Sequence, residues 1–387
     1  MSSRSPRRRI LLVINCVGWA GAETQLIHLA TGLRENGHSV VLLAVEGVIV
    51  DVSALEEAGV EVVSLGVSGR LAKIASVLRI ARHARRADVV HCTGWDATLW
   101  GRIGAALARR PAVITEHTPG REHQSTHKRI SRARLIALHN RLLDRFTYAT
   151  IAVAEWQFDL LAGEGVRRDS IVHVPNAVPV GELRAAAARG PGREELGIPA
   201  DSPVLVHIAR FAPQKGQAVT LRAAARLRER FGDVRVLFLG EGTEEEAVRR
   251  EAERLGADWA SFLGRREDVA AIVALADISV LPSSAEGLPM TLIEAIVLGT
   301  PIVATDVGDV GGLLESTGAG ECVPPGDEEA YLAACAAVLG DAGRRQEIVA
   351  AAERAAPAFD APPMVRRYEE VLEAAVEGAP LPLVLEA

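Results

Sequence analysis

Aromatic residues make up only 4% of this 387-residue chain, and cysteine occurs four times, at Cys16, Cys92, Cys322 and Cys335. No two cysteines form a C-x-x-C pair, and none has a histidine at ligand spacing. That argues against a disulfide framework and a zinc module, and makes reduced cytosolic thiols the expectation. No apolar run reaches the ~18–20 residues that a membrane-spanning helix needs. The basic start MSSRSPRRRI leads into Ile10–Val13, too short for a secretory apolar core and better read as a first strand. The chain has no short-period repeat, no low-complexity tract and no Asp-x-Asp. The first strand is followed by Cys16-Val-Gly-Trp-Ala-Gly, not by G-x-G-x-x-G, which disfavours a dinucleotide-dependent dehydrogenase.

What the chain does have is alternation. Apolar residues make up 49% of it, enough for two sizeable cores. Short β-branched runs at Ile10–Asn15, Val40–Val45, Val60–Leu65, Val89–Cys92, Ala112–Thr115, Thr150–Val153 and Ile171–Val174 predict strands. Amphipathic stretches such as Glu23–Asn36, Ala72–Arg85 and Thr98–Ala108 lie between them. Residues 177–202, rich in glycine and proline, read as a linker. A second series follows, with strands at Val204–Ile208, Val234–Leu239, Trp259–Leu263, Ile278–Leu281 and Pro301–Ala304. Helices are expected at Gln217–Arg230, Glu244–Leu255, Leu288–Leu298, Glu328–Leu339 and Met364–Val376. Buried strands alternating with helices mean βαβ units and parallel sheets. The expected fold class is α/β, with two doubly wound Rossmann-like domains at 1–176 and 177–360 and a final helix in 361–387 crossing back to the first domain. Ligand is expected at the C-terminal strand edges, in a cleft between the domains.

Net charge is divided unevenly. Residues 1–180 carry 23 Lys and Arg against 16 Asp and Glu, and residues 181–387 carry 20 against 34, so +7 and −14 make up the net −7. Much of the positive charge lies in 121–147, with seven basic and two acidic residues. Its Ile130, Leu135, Leu138, Leu142 and Phe146 fall on one helical face. Such a helix is a candidate for an anionic membrane surface, or else an ordinary amphipathic helix on its sheet. No nucleic-acid motif accompanies the charge. The expected location is cytoplasmic, with peripheral membrane attachment through this segment.

The segment from Leu281 to Ala304 points most directly to chemistry. A polar turn, Pro-Ser-Ser-Ala-Glu286-Gly287, runs into an apolar helical pattern, with Glu294 among Leu292, Ile293, Ala295 and Ile296. A strand, a glycine turn and a helix N-terminus bring free N–H groups and the positive end of the helix dipole to one spot, an anion site. Glu286 taken alone also reads as an acid near a helix start, and Glu294 as a solvated polar residue. Upstream, Arg210 and Lys215 stand between a strand and a helix-opening Gly216, two cations suited to a diphosphate or simply a charged surface. Leu239-Gly-Glu-Gly and Phe262-Leu-Gly264-Arg265 are further strand-to-helix turns, and at the second the backbone can approach a base. Eight residues along a helix span ~12 Å. A glycosidase sets two carboxylates facing each other across one bond, so Glu286 and Glu294 suit two ends of one ligand better.

Together, ARF-x3-KG, FLG-x3-DV and EGLPMTLIEA-x3-GTPIVATD resemble the retaining glycosyltransferases of GT-B fold that carry an E-x7-E signature, the group 1 or family 4 type. Gly21-Ala-Glu-Thr, Pro175-Asn-Ala-Val and Val323-Pro-Pro-Gly-Asp extend the resemblance over most of the chain. It implies that Arg210 and Lys215 hold the donor's diphosphate and that backbone at Gly287, Leu288, Pro289 and Met290 adds to that site. It further implies that Glu294 binds the ribose and Glu286 the transferred sugar. Gly264 and Arg265 would lie near the base, Gly21 in a loop over the diphosphate and acceptor, and His117 beside the donor sugar. The implied co-substrate is a nucleotide-diphosphate sugar, with no cofactor and no metal. The acceptor would be a saccharide or a lipid-linked hydroxyl in glycan, glycolipid or cell-surface polysaccharide synthesis. Ala20, Ala154 and Ala177 replace residues common in the family, a glycine, a serine and a glycine respectively. A sugar-nucleotide epimerase or hydrolase on the same fold, or a non-catalytic binding subunit, are the alternative readings.

Overall fold

The computed structural model describes residues 6–117 and 140–381, apart from the side chains at 70, 71 and 73. Most of the basic segment 121–147 lies outside the described residues. The chain forms two compact units, Met1–Asn176 with Ala361–Ala387, and Ala177–Asp360.

The first unit contains β1 (Arg9–Val17), β2 (Ser39–Val48), β3 (Glu61–Ser64), β4 (Val89–Thr93), β5 (Ala112–Glu116), β6 (Thr147–Ala152) and β7 (Ile171–His173). They form one sheet in the order β3-β2-β1-β4-β5-β6-β7. Every pairing is parallel. Leu11, Leu12 and Val13 of β1 are all buried, as expected where helices cover both faces of a parallel sheet. Helices Arg70–Ala84 and Trp95–Ala108 pack side by side, and their Ile80, Ala84, Ala97 and Ala105 join Leu11, Val13, Val90 and Cys92 in one core.

The terminal helix Ala361–Glu377 packs on Gly21–Glu35 and on β4 and β5. Gly32 permits the approach, since a Cβ there would meet Val365 Cγ2 at 2.5 Å. Polar ties fix the rest. Arg8 N–H donates to His38 Nδ1 at 3.1 Å, which leaves Nε2–H to donate to Glu369 at 2.8 Å. Thr115 Oγ1 lies 2.7 Å from His91 Nε2 and 3.1 Å from the Tyr368 hydroxyl.

The second unit contains β8 (Val204–Ile208), β9 (Arg235–Leu239), β10 (Ala260–Gly264), β11 (Ile278–Leu281), β12 (Ile302–Thr305) and β13 (Gly320–Val323). The order is β10-β9-β8-β11-β12-β13, again all parallel. The strand order reverses between β8 and β11, and in doubly wound sheets ligands bind at the carboxyl ends beside such a switch point. The chain enters and leaves this unit side by side: Val178 N–H donates to Phe359 O at 2.9 Å, and Val180 N–H to Asp360 Oδ1 at 3.1 Å.

Three local differences from the sequence reading have physical reasons. The stretch 177–202 is not all linker, because Val180–Ala187 is a helix whose Val180 and Leu183 pack against Met290, Ile293 and Val297. β13 was not anticipated. It is an edge strand with one fully buried residue, Val323, and so lacks the apolar run that marks a central strand. The helix expected from Leu288 begins at Met290, after Pro289, whose φ of −66° and ψ of 126° are extended.

Candidate active site

The loop after β8 is built around a buried ring. Phe211 packs against Phe238 and Phe262, each with its centroid 6.0 Å away, and its N–H donates to Glu241 O at 3.0 Å. With Phe211 turned inward, the neighbouring Arg210 is exposed, and its guanidinium makes no hydrogen bond or ion pair among the described residues. Buried Gln217 ties the loop down by donating to Arg210 O at 3.1 Å. A tight turn, Pro213–Lys215, then ends at Gly216, where φ is 70° and a Cβ would stand 2.2 Å from Pro282 O. Only glycine meets both demands, so Gly216 holds the β8 loop against the start of the β11 loop. Ser284 N–H closes the contact by donating to Gln214 O at 2.8 Å.

That closure brings Lys215 to Glu286. Lys215 Nζ donates to both carboxylate oxygens, at 2.7 and 2.8 Å. Glu286 is 8% exposed, and without a cation its carboxylate would be a costly buried charge. Behind it, Gly308 has φ of 60°, and a Cβ there would lie 2.3 Å from Glu286 O. Asp309 N–H donates to Gly287 O at 3.2 Å. The turn carrying Glu286 and Gly287 is thus backed by the loop after β12.

The helix Met290–Leu298 follows, with Pro289 as N-cap and no side chain capping it. The first N–H groups of a helix have no partner within it. Pro289 itself has no N–H, so it cannot be one of the amide donors that the resemblance implies; it fixes the entry to the helix instead. Glu294 lies half-buried one turn on. Burial pushes its carboxyl up to about 7, and it has no hydrogen-bond partner among the described residues. A carboxylate held in that state gains from hydroxyl donors of a ligand.

Gly264 ends β10 with φ of 63° and open space where a Cβ would be. Its carbonyl accepts from Gly240 N–H at 2.8 Å, which joins the turns after β9 and β10. Arg265 pairs at the surface with Glu241, Nε to Oε2 3.0 Å. Glu241 was passed over in the sequence because Gly-Glu-Gly after a strand reads as a plain turn.

Two candidates belong to the first unit. Gly21 is the first residue of the helix Gly21–Glu35 that follows β1, not a loop residue, and the Glu23 side chain accepts from Ala20 N–H at 2.7 Å to cap that helix. His117 follows β5, and burial lowers its imidazole to about 4, so it is neutral at physiological pH. Lys215, Glu286, Arg210, Glu294 and Gly264 all stand on the carboxyl side of the second sheet.

The family model for group 1 glycosyl transferases matches residues 190–355, and that for glycosyltransferase family 4 matches residues 19–182. The chain belongs to the group 1/family 4 glycosyltransferases. Among curated relatives, it is 28% identical to the phosphatidyl-myo-inositol mannosyltransferase of Mycolicibacterium smegmatis, over 92% of each chain. It is 29% identical to the 2-deoxystreptamine N-acetyl-D-glucosaminyltransferase of Streptomyces fradiae, over 73% of this chain and 70% of that one. In fold this glycosyltransferase is similar to HepE of Anabaena, solved with UDP-glucose, with a TM-score of 0.80 and 23% identity over 95% of this chain and 100% of that one. It is likewise similar to the sucrose-phosphate synthase of Thermosynechococcus elongatus, with a TM-score of 0.77 and 17% identity over 96% and 100%. Two Rossmann-like units with parallel sheets are the GT-B architecture, and this glycosyltransferase has it. Among its described residues, no helix is long and apolar enough to cross a membrane.

Proposed function

We propose that this glycosyltransferase moves a sugar from a nucleotide-diphosphate donor to an acceptor hydroxyl with retention of configuration and without a metal ion. The observation that carries the reading is the pairing of two poised groups on the second unit: the uncommitted Arg210 guanidinium, and the half-buried Glu294 carboxylate held up at about 7 with no partner. Arg210 and Lys215 bind the diphosphate, and the N–H groups at Gly287, Leu288 and Met290 add to that site. Glu294 accepts from the ribose hydroxyls. A diphosphate arriving at Lys215 competes with Glu286 for its ammonium, and the released carboxylate then accepts from a hydroxyl of the transferred sugar. Gly264 leaves room for the base beside Arg265.

Chemically, the bond from the anomeric carbon to the phosphate oxygen breaks while the acceptor oxygen attacks the same face. The acceptor's proton passes to the departing phosphate, whose growing charge is met by Arg210, Lys215 and the helix N-terminus. Neutral His117 and the Gly21 backbone serve the sugar and acceptor side. Relatives named for phosphatidyl-myo-inositol and 2-deoxystreptamine support a polyhydroxylated acceptor, and we place the enzyme in glycolipid or cell-surface polysaccharide synthesis.

A thermal-shift screen with UDP, GDP and their sugars tests the donor site, since a ligand of the native state raises the melting temperature by mass action. The matching nucleotide raises it in the wild type and not in the Arg210→Ala/Lys215→Ala double variant. A chain that none of them stabilises does not use such donors.

A further inference from the structure

Strand β4, Val-Val-His-Cys-Thr, lies inside its sheet between β1 and β5, and every one of its residues is buried. A central strand of a parallel sheet is ordinarily apolar on both faces. One face of β4 obeys: Val90 and Cys92 join the core with the helices Arg70–Ala84 and Trp95–Ala108. The other face, toward the terminal helix, is polar. It carries His91 and Thr93, beside Thr115 of β5. These three and Tyr368 of the terminal helix are each no more than 1% exposed.

Thr115 is the hub of this layer. His91 Nε2 lies 2.7 Å from its Oγ1, the Tyr368 hydroxyl 3.1 Å from the same atom, and Thr93 Oγ1 donates to its carbonyl at 3.3 Å. The rings of His91 and Tyr368 meet edge to face, with centroids 5.6 Å apart and planes at 80°. His91 Nδ1 is buried and has no hydrogen-bond partner among the described residues. Burial, and then His117, lower this imidazole to about 3, which puts the two histidines within electrostatic reach. Packing does not account for the layer, since apolar residues of the same shape would fill it and leave no buried nitrogen unpaired. Buried polar networks hold the groups they join in one arrangement. This one joins the terminal helix to the end of β5, two residues before His117.

We propose that Tyr368 is a positioning residue for the transfer: its hydroxyl, acting through Thr115 and His91, fixes the end of β5 and with it the place of the His117 imidazole. The inference rests on the reading that His117 serves the donor sugar, and it adds a group that never touches substrate. Without the hydroxyl, Thr115 keeps only its bonds within the sheet, and the chain after β5 gains freedom. Nucleotide binding is insensitive to this, because diphosphate and ribose are held from the second unit. The step in which the sugar departs needs His117 in place.

The test is a double-mutant cycle on the full chain. Release of nucleoside diphosphate to water is measured with UDP-glucose, UDP-N-acetylglucosamine and GDP-mannose, and the donor turned over serves for the cycle. Tyr368→Phe keeps the ring and its contact with His91. It is expected to lower kcat by about 10- to 100-fold, the range that a displacement of about 1 Å produces. The rise in melting temperature given by the nucleotide stays as in the wild type. In a His117→Ala background the same substitution changes kcat by no more than about two-fold, because the group it positions is gone. Thr115→Val repeats the loss, and Thr115→Ser, which keeps the hydroxyl, does not. A fall by the same factor in both backgrounds means that Tyr368 serves the fold alone and overturns the inference. Full activity of Tyr368→Phe overturns it too, as does full activity of Thr115→Val should Tyr368→Phe not fold. A wild-type rate in His117→Ala overturns it while leaving the transferase reading standing. Turnover of none of the three donors removes that reading, and the inference with it.

Discussion

Lys215 and Glu286 hold each other: one ammonium donates to both oxygens of one nearly buried carboxylate, at 2.7 and 2.8 Å. The two residues are the ones expected to grip the leaving diphosphate and the transferred sugar. On the proposed function each stands where the other's ligand would bind, so donor binding is expected to exchange this internal ion pair for two external contacts.

Lys215→Ala is therefore expected to do two separable things. Loss of the cation from the leaving-group site lowers transfer by about 10²–10³-fold. It also strands Glu286, which costs about 1–3 kcal/mol of stability, less than for a fully buried pair because the lysine keeps some solvent. Adding Glu286→Gln restores the melting temperature but not the activity. Chemical denaturation and initial rates on the two single variants and the double variant check this.

Gly308→Ala tests the support behind the pair. Its φ of 60° and the 2.3 Å approach of a Cβ to Glu286 O force the turn to move. Stability is expected to fall by about 1–3 kcal/mol. The turnover number is expected to fall more than nucleotide affinity, because Glu286 shifts while Arg210 stays in place. Equal losses in both would show that the loop after β12 does not position the glutamate.

Glu294 predicts a pH dependence. Its carboxyl stands at about 7 in the fold against 4.5 for the free group. The native state therefore binds more protons than the unfolded chain between these values, and stability falls as pH rises through that window and stays lower above it. Glu294→Gln removes this slope and raises stability at pH 8 by about 1–3 kcal/mol, while weakening nucleotide binding. Melting curves from pH 4.5 to 8, with and without nucleotide, give both readouts.

In the first unit, Gly32→Ala is expected to loosen the terminal helix. The new methyl would sit 2.5 Å from Val365 Cγ2, and overpacking of this kind costs about 1–3 kcal/mol. Val365→Ala should recover part of the loss by making room. Limited proteolysis near residue 360 follows the detachment directly.

How much of this was legible in the sequence depends on whether the cause was local. Twelve strands stand out as short β-branched or apolar runs, most of them buried, as in Val204–Ile208 and Ile278–Leu281. β13 does not, because an edge strand with glycine at its start has no such run. Val180–Ala187 was hidden by the glycines and prolines around it, although Glu-Leu-Arg-Ala-Ala-Ala is good helix-forming sequence. In the site, the turn at Glu286 and the helix running to Leu298 were readable. The Lys215–Glu286 pair was not, since 71 positions separate its members and only the β8 and β11 neighbourhood joins them. Glu241 and Gly308 matter through contacts made across turns, which no local pattern announces.

The most direct test follows the anomeric signal by proton NMR while the enzyme turns over an α-linked nucleotide sugar with water as the slow acceptor, using UDP-glucose, UDP-N-acetylglucosamine and GDP-mannose in turn. The account predicts that the donor which stabilises the protein releases its nucleoside diphosphate and first yields the α-sugar, before mutarotation, and that Lys215→Ala abolishes the release. First appearance of the β-anomer, or release at the wild-type rate without Lys215, would contradict it.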